Sequence, residues 1–134
     1  MNLNTIKLDD LADNIFSEIA KEAADFISPR PNNRGQIPDI NKSTQLRKFY
    51  DELVLWHDKV LRADDCSTAY RQAAPFIQML KAKAAYSLGR KHVDKNFVEV
   101  FNKIIGQINS PETLKHAKLF FEAVLAFRKA SEQK

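Results

Sequence analysis

Apolar residues recur at intervals of three and four in five separate stretches of this chain, and that period limits its fold more than any other feature. In the first stretch, residues 8–27, Leu8, Leu11, Ile15, Ile19, Ala23 and Phe26 line one helical face. Asp9, Asp10 and Asp13 fall in its opening turns, where the positive end of the helix dipole favours carboxylates. The second stretch opens at Ser43-Thr44, residue types that cap helices, and runs to about Arg62 with Leu46, Phe49, Leu53, Trp56 and Val60 as its stripe. The third covers roughly residues 68–89, with Phe76, Leu80, Ala84 and Leu88 as its apolar face. Pro75 inside it predicts a short helix, then a kink or restart at the proline, and Gly89 is the expected stop. Asp94 caps the fourth, whose stripe is Phe97, Val100, Phe101, Ile104, Ile105 and Ile108. Ser110-Pro111-Glu112 opens the fifth with a capping hydroxyl, a proline at the first position and an acid in the first turn. That helix buries Leu114, Ala117, Phe120, Phe121, Val124 and Phe127.

Only 3 glycines in 134 residues leave little turn material for a β fold. The sequence therefore predicts an all-α protein, a compact helical bundle of about five helices in one domain spanning residues 1–134. Short connections after residue 62 favour antiparallel neighbours. Residues 28–42 are the exception: three prolines and no period predict a long mobile loop.

Catalytic chemistry finds little support. The single Cys66 excludes an internal disulfide and suits a reducing cytosol, and Asp64 and Asp65 beside it disfavour the thiolate a nucleophile needs. No basic-then-apolar leader and no apolar run near 18 residues is present, so a cytoplasmic protein away from membranes is expected. His57, His92 and His116 lie in different elements, with no His-Glu-x-x-His, cysteine pair, aspartate-rich calcium loop or Gly-rich phosphate loop. Neither a metal site nor a cofactor is expected. Glu122, between Phe121 and Ala123, would be a carboxyl of raised pKa if buried, but a surface glutamate is the plainer reading. The chain reads as non-enzymatic, with no catalytic residues.

Binding is better supported. Residues 1–27 hold two lysines against six acids, net −4, which leaves +8 on the rest of the chain. Residues 71–95 carry Arg71, Lys81, Lys83, Arg90, Lys91 and Lys95 against Asp94 alone, a localised polyanion-binding pattern. Helical spacing puts Lys83, Tyr86, Ser87 and Arg90 on one face, cationic and aromatic together. Lys42, Arg47 and Lys48 form a second cluster at a helix N-terminus, whose amides also favour phosphate. The competing reading is local pairing of Arg47 with Asp51 and Lys48 with Glu52, worth only a few tenths of a kcal/mol. For Tyr50 and Tyr86, packing is the plainer reading and stacking on bases the sharper one. Trp56 reads as core.

Three segments carry a family resemblance. Ser43 to Asp51 resembles a Thr/Ser-x-Gln-Ile/Leu-Arg-Lys-Phe-Tyr motif, and Leu80 to Arg90 resembles Leu-Lys-Pro-Lys-Leu-Ala-Tyr-Ala-x-Gly-Arg. Phe120 to Phe127 resembles Phe-Phe-Glu-Ala-Ile-Val-Ala-Tyr. In this order and at these separations they resemble the small helical subunit of type III-A CRISPR RNA-guided complexes, the Csm small subunit, over about residues 43–129. The chain departs from the pattern at Ala82 and Ala84, where Pro and Leu are common, and at Phe127, where Tyr is common.

The resemblance implies a non-catalytic, RNA-binding bundle that stacks head to tail in several copies beside backbone subunits and the large subunit. Its copies would line the groove where guide RNA pairs with target RNA. Base pairing then reads the sequence, so this subunit needs only backbone contacts. On that basis Lys42, Arg47, Lys48, Lys81, Lys83, Arg90, Lys91 and Arg128 are the expected RNA-binding residues, with Arg30 and Arg34 reaching RNA or a neighbouring copy. The acidic first segment is a candidate partner for a basic face on the next copy. The alternatives are a helical protein–protein adaptor or a DNA-binding regulator with its turn at Gly89-Arg90-Lys91-His92. The helix that would follow presents Asn96, Glu99 and Asn102, a poor basic reader.

Overall fold

The computed structural model describes residues 1–132, whose regular elements are all helical, with no strand. Its helices are α1 (Ala20–Ile27), α2 (Ser43–Leu61), α3 (Cys66–Gln78), α4 (Leu80–Gly89), α5 (Lys95–Gly106) and α6 (Pro111–Glu132). α3 and α4 meet at Met79 as the two halves of one broken helix, so the bundle has the five units read from the periodicity. α6 packs against both α1 and α2, α3 against α2, and α4 along α5. At the centre Phe49, Phe97, Phe101 and Phe121 bring α2, α5 and α6 together with ring centroids 5.2–6.3 Å apart, within the usual range for aromatic pairs.

The predicted helix starts hold best where a side chain caps the turn. Asp94 accepts from the Phe97 amide at 3.0 Å, and Ser110 Oγ accepts from the Thr113 amide at 3.1 Å. Ser43 behaves differently. Its amide and its hydroxyl both donate to the Glu132 carboxylate, at 2.9 Å each, so the end of α6 caps the start of α2.

Three local expectations are corrected, and a fourth holds in position but not in mechanism. Residues 8–14 are not helical; a single π turn over Ile15–Ile19 leads into α1. The stretch before it is kept out of the helix by tertiary contacts: Gln107 accepts from the Leu8 amide and donates to the Ile6 carbonyl, and His116 Nδ1 meets the Leu8 carbonyl at 2.6 Å. Ile6 and Leu8 are fully buried, whereas Leu11 is exposed. The break in the third unit falls at Met79, not Pro75, because the corner comes where α3 leaves α2 and α4 turns to follow α5, with Gln78 Nε2 tied to the Ile105 carbonyl. Phe76 is half exposed and stacks on Trp56, 5.4 Å between centroids, outside the core stripe. Finally, Gly89 is the last residue of α4, as expected, but it does not supply the left-handed turn that closes the helix. The left-handed residue is Lys91 (φ 60°), whose amide donates to the Leu88 carbonyl while that of His92 donates to the Ser87 carbonyl. This is the double closure glycine usually provides.

Residues 28–42 run over the surface around a turn in which the Asn32 side chain accepts from the amides of Arg34 and Gln36. The segment ends at Asn41, fully buried and left-handed (φ 52°). The Asn41 side chain donates to the Ile27 carbonyl at 2.9 Å and to Asp94 Oδ1 at 2.7 Å, and accepts from the Asp94 amide at 3.1 Å. Its backbone amide donates to the His92 carbonyl, and its carbonyl accepts from Arg128 Nε, both at 3.0 Å. One residue thus joins α1, the start of α5 and α6 below the loop.

Candidate nucleic-acid interface

α2 divides the cationic surface into two clefts. On the side facing α4, a cleft of about 430 Å³ is lined by Gln45, Lys48, Glu52, Lys83, Tyr86 and Ser87 over a floor of Phe49, Met79 and Leu80. The i, i+3, i+7 spacing read from α4 does place Lys83, Tyr86 and Arg90 along this edge. Tyr86 is 66% exposed. The Arg90 guanidinium lies 5.8 Å from its ring centroid and donates to its hydroxyl at 3.1 Å, giving a flat surface that is cationic at one end. Lys83 reaches across the cleft to the Glu52 carboxylate. Among the described residues Lys48 forms no ion pair, and Lys91 stands exposed just past the end of α4.

On the opposite side, a cleft of about 510 Å³ between α2 and α6 holds Ser43, Thr44, Arg47, Tyr50, Glu122 and Lys129. Its cations are matched by acids: Arg47 with Asp51 at 3.6 Å, Lys118 with Glu122 at 2.9 Å and Lys129 with Glu132 at 3.8 Å. Arg47 also lies over the Tyr50 ring, 5.7 Å from its centroid. Donation from Lys118 and then from the Tyr50 hydroxyl (2.8 Å) holds the Glu122 carboxyl below the usual glutamate range. Glu122 is therefore an exposed, ionised surface residue, and the raised-pKa reading does not apply. Burial, then the Glu122 carboxylate, raises the Tyr50 phenol.

The eight sequence-predicted residues do not form one site. Lys48 and Lys83 line the α2/α4 cleft and Arg90 flanks it on Tyr86, with Lys91 next in the chain, while Arg47 lines the α2/α6 cleft. Lys42 precedes α2 and pairs with Asp39 at 3.5 Å. Lys81 points the other way, its ammonium 3.4 Å from where a β-carbon on Gly106 would stand, beside the carbonyl end of α5. Arg128 is corrected outright as a surface contact. It is 4% exposed, donates to the Asn41 carbonyl, and lies 3.5 Å from Glu132. Burial lowers its pKa, partly opposed by Glu132. Arg30 and Arg34 are exposed on the 28–42 segment.

Sequence reasoning missed Lys118 and Lys129, which read as ordinary helix-surface lysines, and Glu52, read only as a possible partner of Lys48. It also missed Asn41; its tolerance of left-handed backbone was the one available signal. Among the described residues no three His, Cys, Asp or Glu side chains gather as a metal site would require, and no helix is long and apolar enough to cross a membrane. The three histidines serve structural contacts: His57 with Asp58 at 3.0 Å, His116 with the Leu8 carbonyl, and His92 through its carbonyl to Asn41.

A family model described as Csm2 Type III-A matches residues 11–134 of the chain. Neither a curated protein nor a solved structure matches it.

Proposed function

The chain belongs to the Csm2 Type III-A family, the small subunit of the type III-A CRISPR complex, and from that premise we propose that it is a non-catalytic RNA-binding component of the complex. Several copies stack head to tail beside the backbone and large subunits and present their α2/α4 clefts to the paired guide and target RNA. The observation that carries this reading is that Lys48 and the exposed Tyr86 line one cleft, with Arg90 bonded to the Tyr86 hydroxyl at its end and Lys91 exposed next in the chain. Lysine, arginine and an aromatic face suit phosphates and exposed bases without regard to sequence. Each copy binds weakly, and repetition along one RNA supplies the strength. The α2/α6 cleft, with its cations already matched by carboxylates, is the weaker candidate.

The test is binding of single-stranded RNA, a guide–target RNA duplex and duplex DNA of matched length across a salt series, by the purified chain and by the reconstituted complex. RNA binding should fall steadily as salt rises. Joint Lys48→Ala and Arg90→Ala substitution should weaken it about tenfold and flatten the salt slope by about 1–2. An unchanged affinity in the double variant, or sequence-selective binding to duplex DNA, would overturn the proposal.

A further inference from the structure

Of the residues lining the α2/α4 cleft, Glu52 is the single acid. It does not turn to Lys48, four residues earlier on the same helix, where the base-before-acid order is the weaker arrangement. It reaches instead to Lys83 on α4, thirty-one residues away in sequence. The Glu52 side chain is 29% exposed and that of Lys83 50%, so the pair sits at the mouth of the cleft, open to solvent and screened. A phosphate arriving between Lys48 and Arg90 therefore meets a carboxylate already occupying the cation it would otherwise take.

We propose that Glu52 is an intramolecular competitor for RNA, a carboxylate standing where a backbone phosphate would stand, and that binding exchanges Lys83 from Glu52 to phosphate. The inference rests on the RNA-binding reading above and adds a regulation of the same cleft. An exposed ion pair is only weakly held, so the exchange is readily reversible. One copy alone is held back from stray RNA. Several copies sharing one RNA each meet the same small penalty, which their combined contacts outweigh.

The deciding experiment measures binding to single-stranded RNA of mixed sequence, over a salt series, by wild type, Glu52→Gln, Lys83→Gln and the double variant. Glu52→Gln should bind about three- to tenfold tighter near physiological salt, with a salt slope steeper by about 0.7 for the one added phosphate contact. In the Lys83→Gln background the gain should shrink to about twofold or less, since no released lysine remains. Asp51→Asn, which removes the neighbouring acid paired with Arg47 instead of Lys83, should not reproduce the gain. Thermal unfolding checks that each variant is folded, and Glu52→Ala supplies the same loss of charge if Glu52→Gln is not. Equal affinity for wild type and Glu52→Gln overturns the inference, as does an equal gain with and without Lys83, which would mark a general field effect. If Lys48→Ala/Arg90→Ala weakens RNA binding while Glu52→Gln changes nothing, this inference falls and the functional reading stands. If no variant affects RNA binding by the chain or the complex, both fall.

Discussion

The two places where this protein concentrates polar chemistry treat positive charge in opposite ways. At the junction of the 28–42 segment with α5 and α6, Arg128 is buried, its guanidinium committed to the Asn41 carbonyl and the Glu132 carboxylate. Along the α2/α4 cleft, Lys48, Lys83 and Arg90 stand exposed, one without an ion-pair partner, one loosely paired and one resting on a tyrosine ring. In the first region a cation satisfies backbone groups that water cannot reach, so removing it leaves buried partners unpaired. In the second, water already solvates the cations and a ligand can displace what they hold. The same residue type is structural or available according to burial, and net charge does not distinguish the two.

The largest effect is expected at Asn41. Asn41→Ala deletes three side-chain hydrogen bonds and places alanine at φ 52°, for an expected loss of about 3–5 kcal/mol. Chemical denaturation should register it, whereas Lys48→Ala/Arg90→Ala should stay within about 0.5 kcal/mol of wild type. If the cleft variant proved as destabilising as Asn41→Ala, the cleft cations would be structural and not available to a ligand.

A smaller effect is expected from Glu132, whose carboxyl is held below the usual glutamate range chiefly by the Ser43 amide, with the Ser43 hydroxyl and Arg128 adding to it. A carboxyl depressed in the folded state stabilises the fold above its ordinary value, about 4.3, and loses that contribution as pH falls through that value toward the folded one. Glu132→Gln should cost about 1 kcal/mol near neutral pH and make the unfolding midpoint less sensitive to acid between about pH 5 and 3. An unaltered acid profile would remove Glu132 from the junction's energetics. The smallest effect sharpens the contrast from the other side. Lys91 sits in a left-handed position that suits glycine, so Lys91→Gly should raise stability by about 0.5–1 kcal/mol while slightly weakening RNA binding. A gain in stability with no change at all in RNA binding would take Lys91 out of the interface.

Much of the fold was legible because the evidence for it is local. The stripes of α2, α5 and α6 follow a 3.6-residue period, and Asp94 and Ser110 cap helices through turns that need no distant partner. The failures share one cause. Residues 8–14 carry a helical apolar pattern, yet Gln107 and His116 capture their backbone from about a hundred positions away. Pro75 is a breaker by type, but the corner at Met79 follows from which neighbours α3 and α4 pack against. Ser43 has a capping hydroxyl, but Glu132 takes it.

The candidate site divides in the same way. Helical spacing determined that Lys83, Tyr86 and Arg90 share a face, since a repeat of 3.6 residues aligns them whatever the helix packs on. By itself, then, the sequence determined an all-helical chain, most of its core stripes and the cationic edge of α4. Only the tertiary structure decided that Arg128 lies inside, that Lys81 turns toward the end of α5, that Arg47 and Lys48 open onto different clefts, and that Lys83 meets Glu52. Burial and ion pairing depend on which surfaces the helices press together, and no local pattern records that.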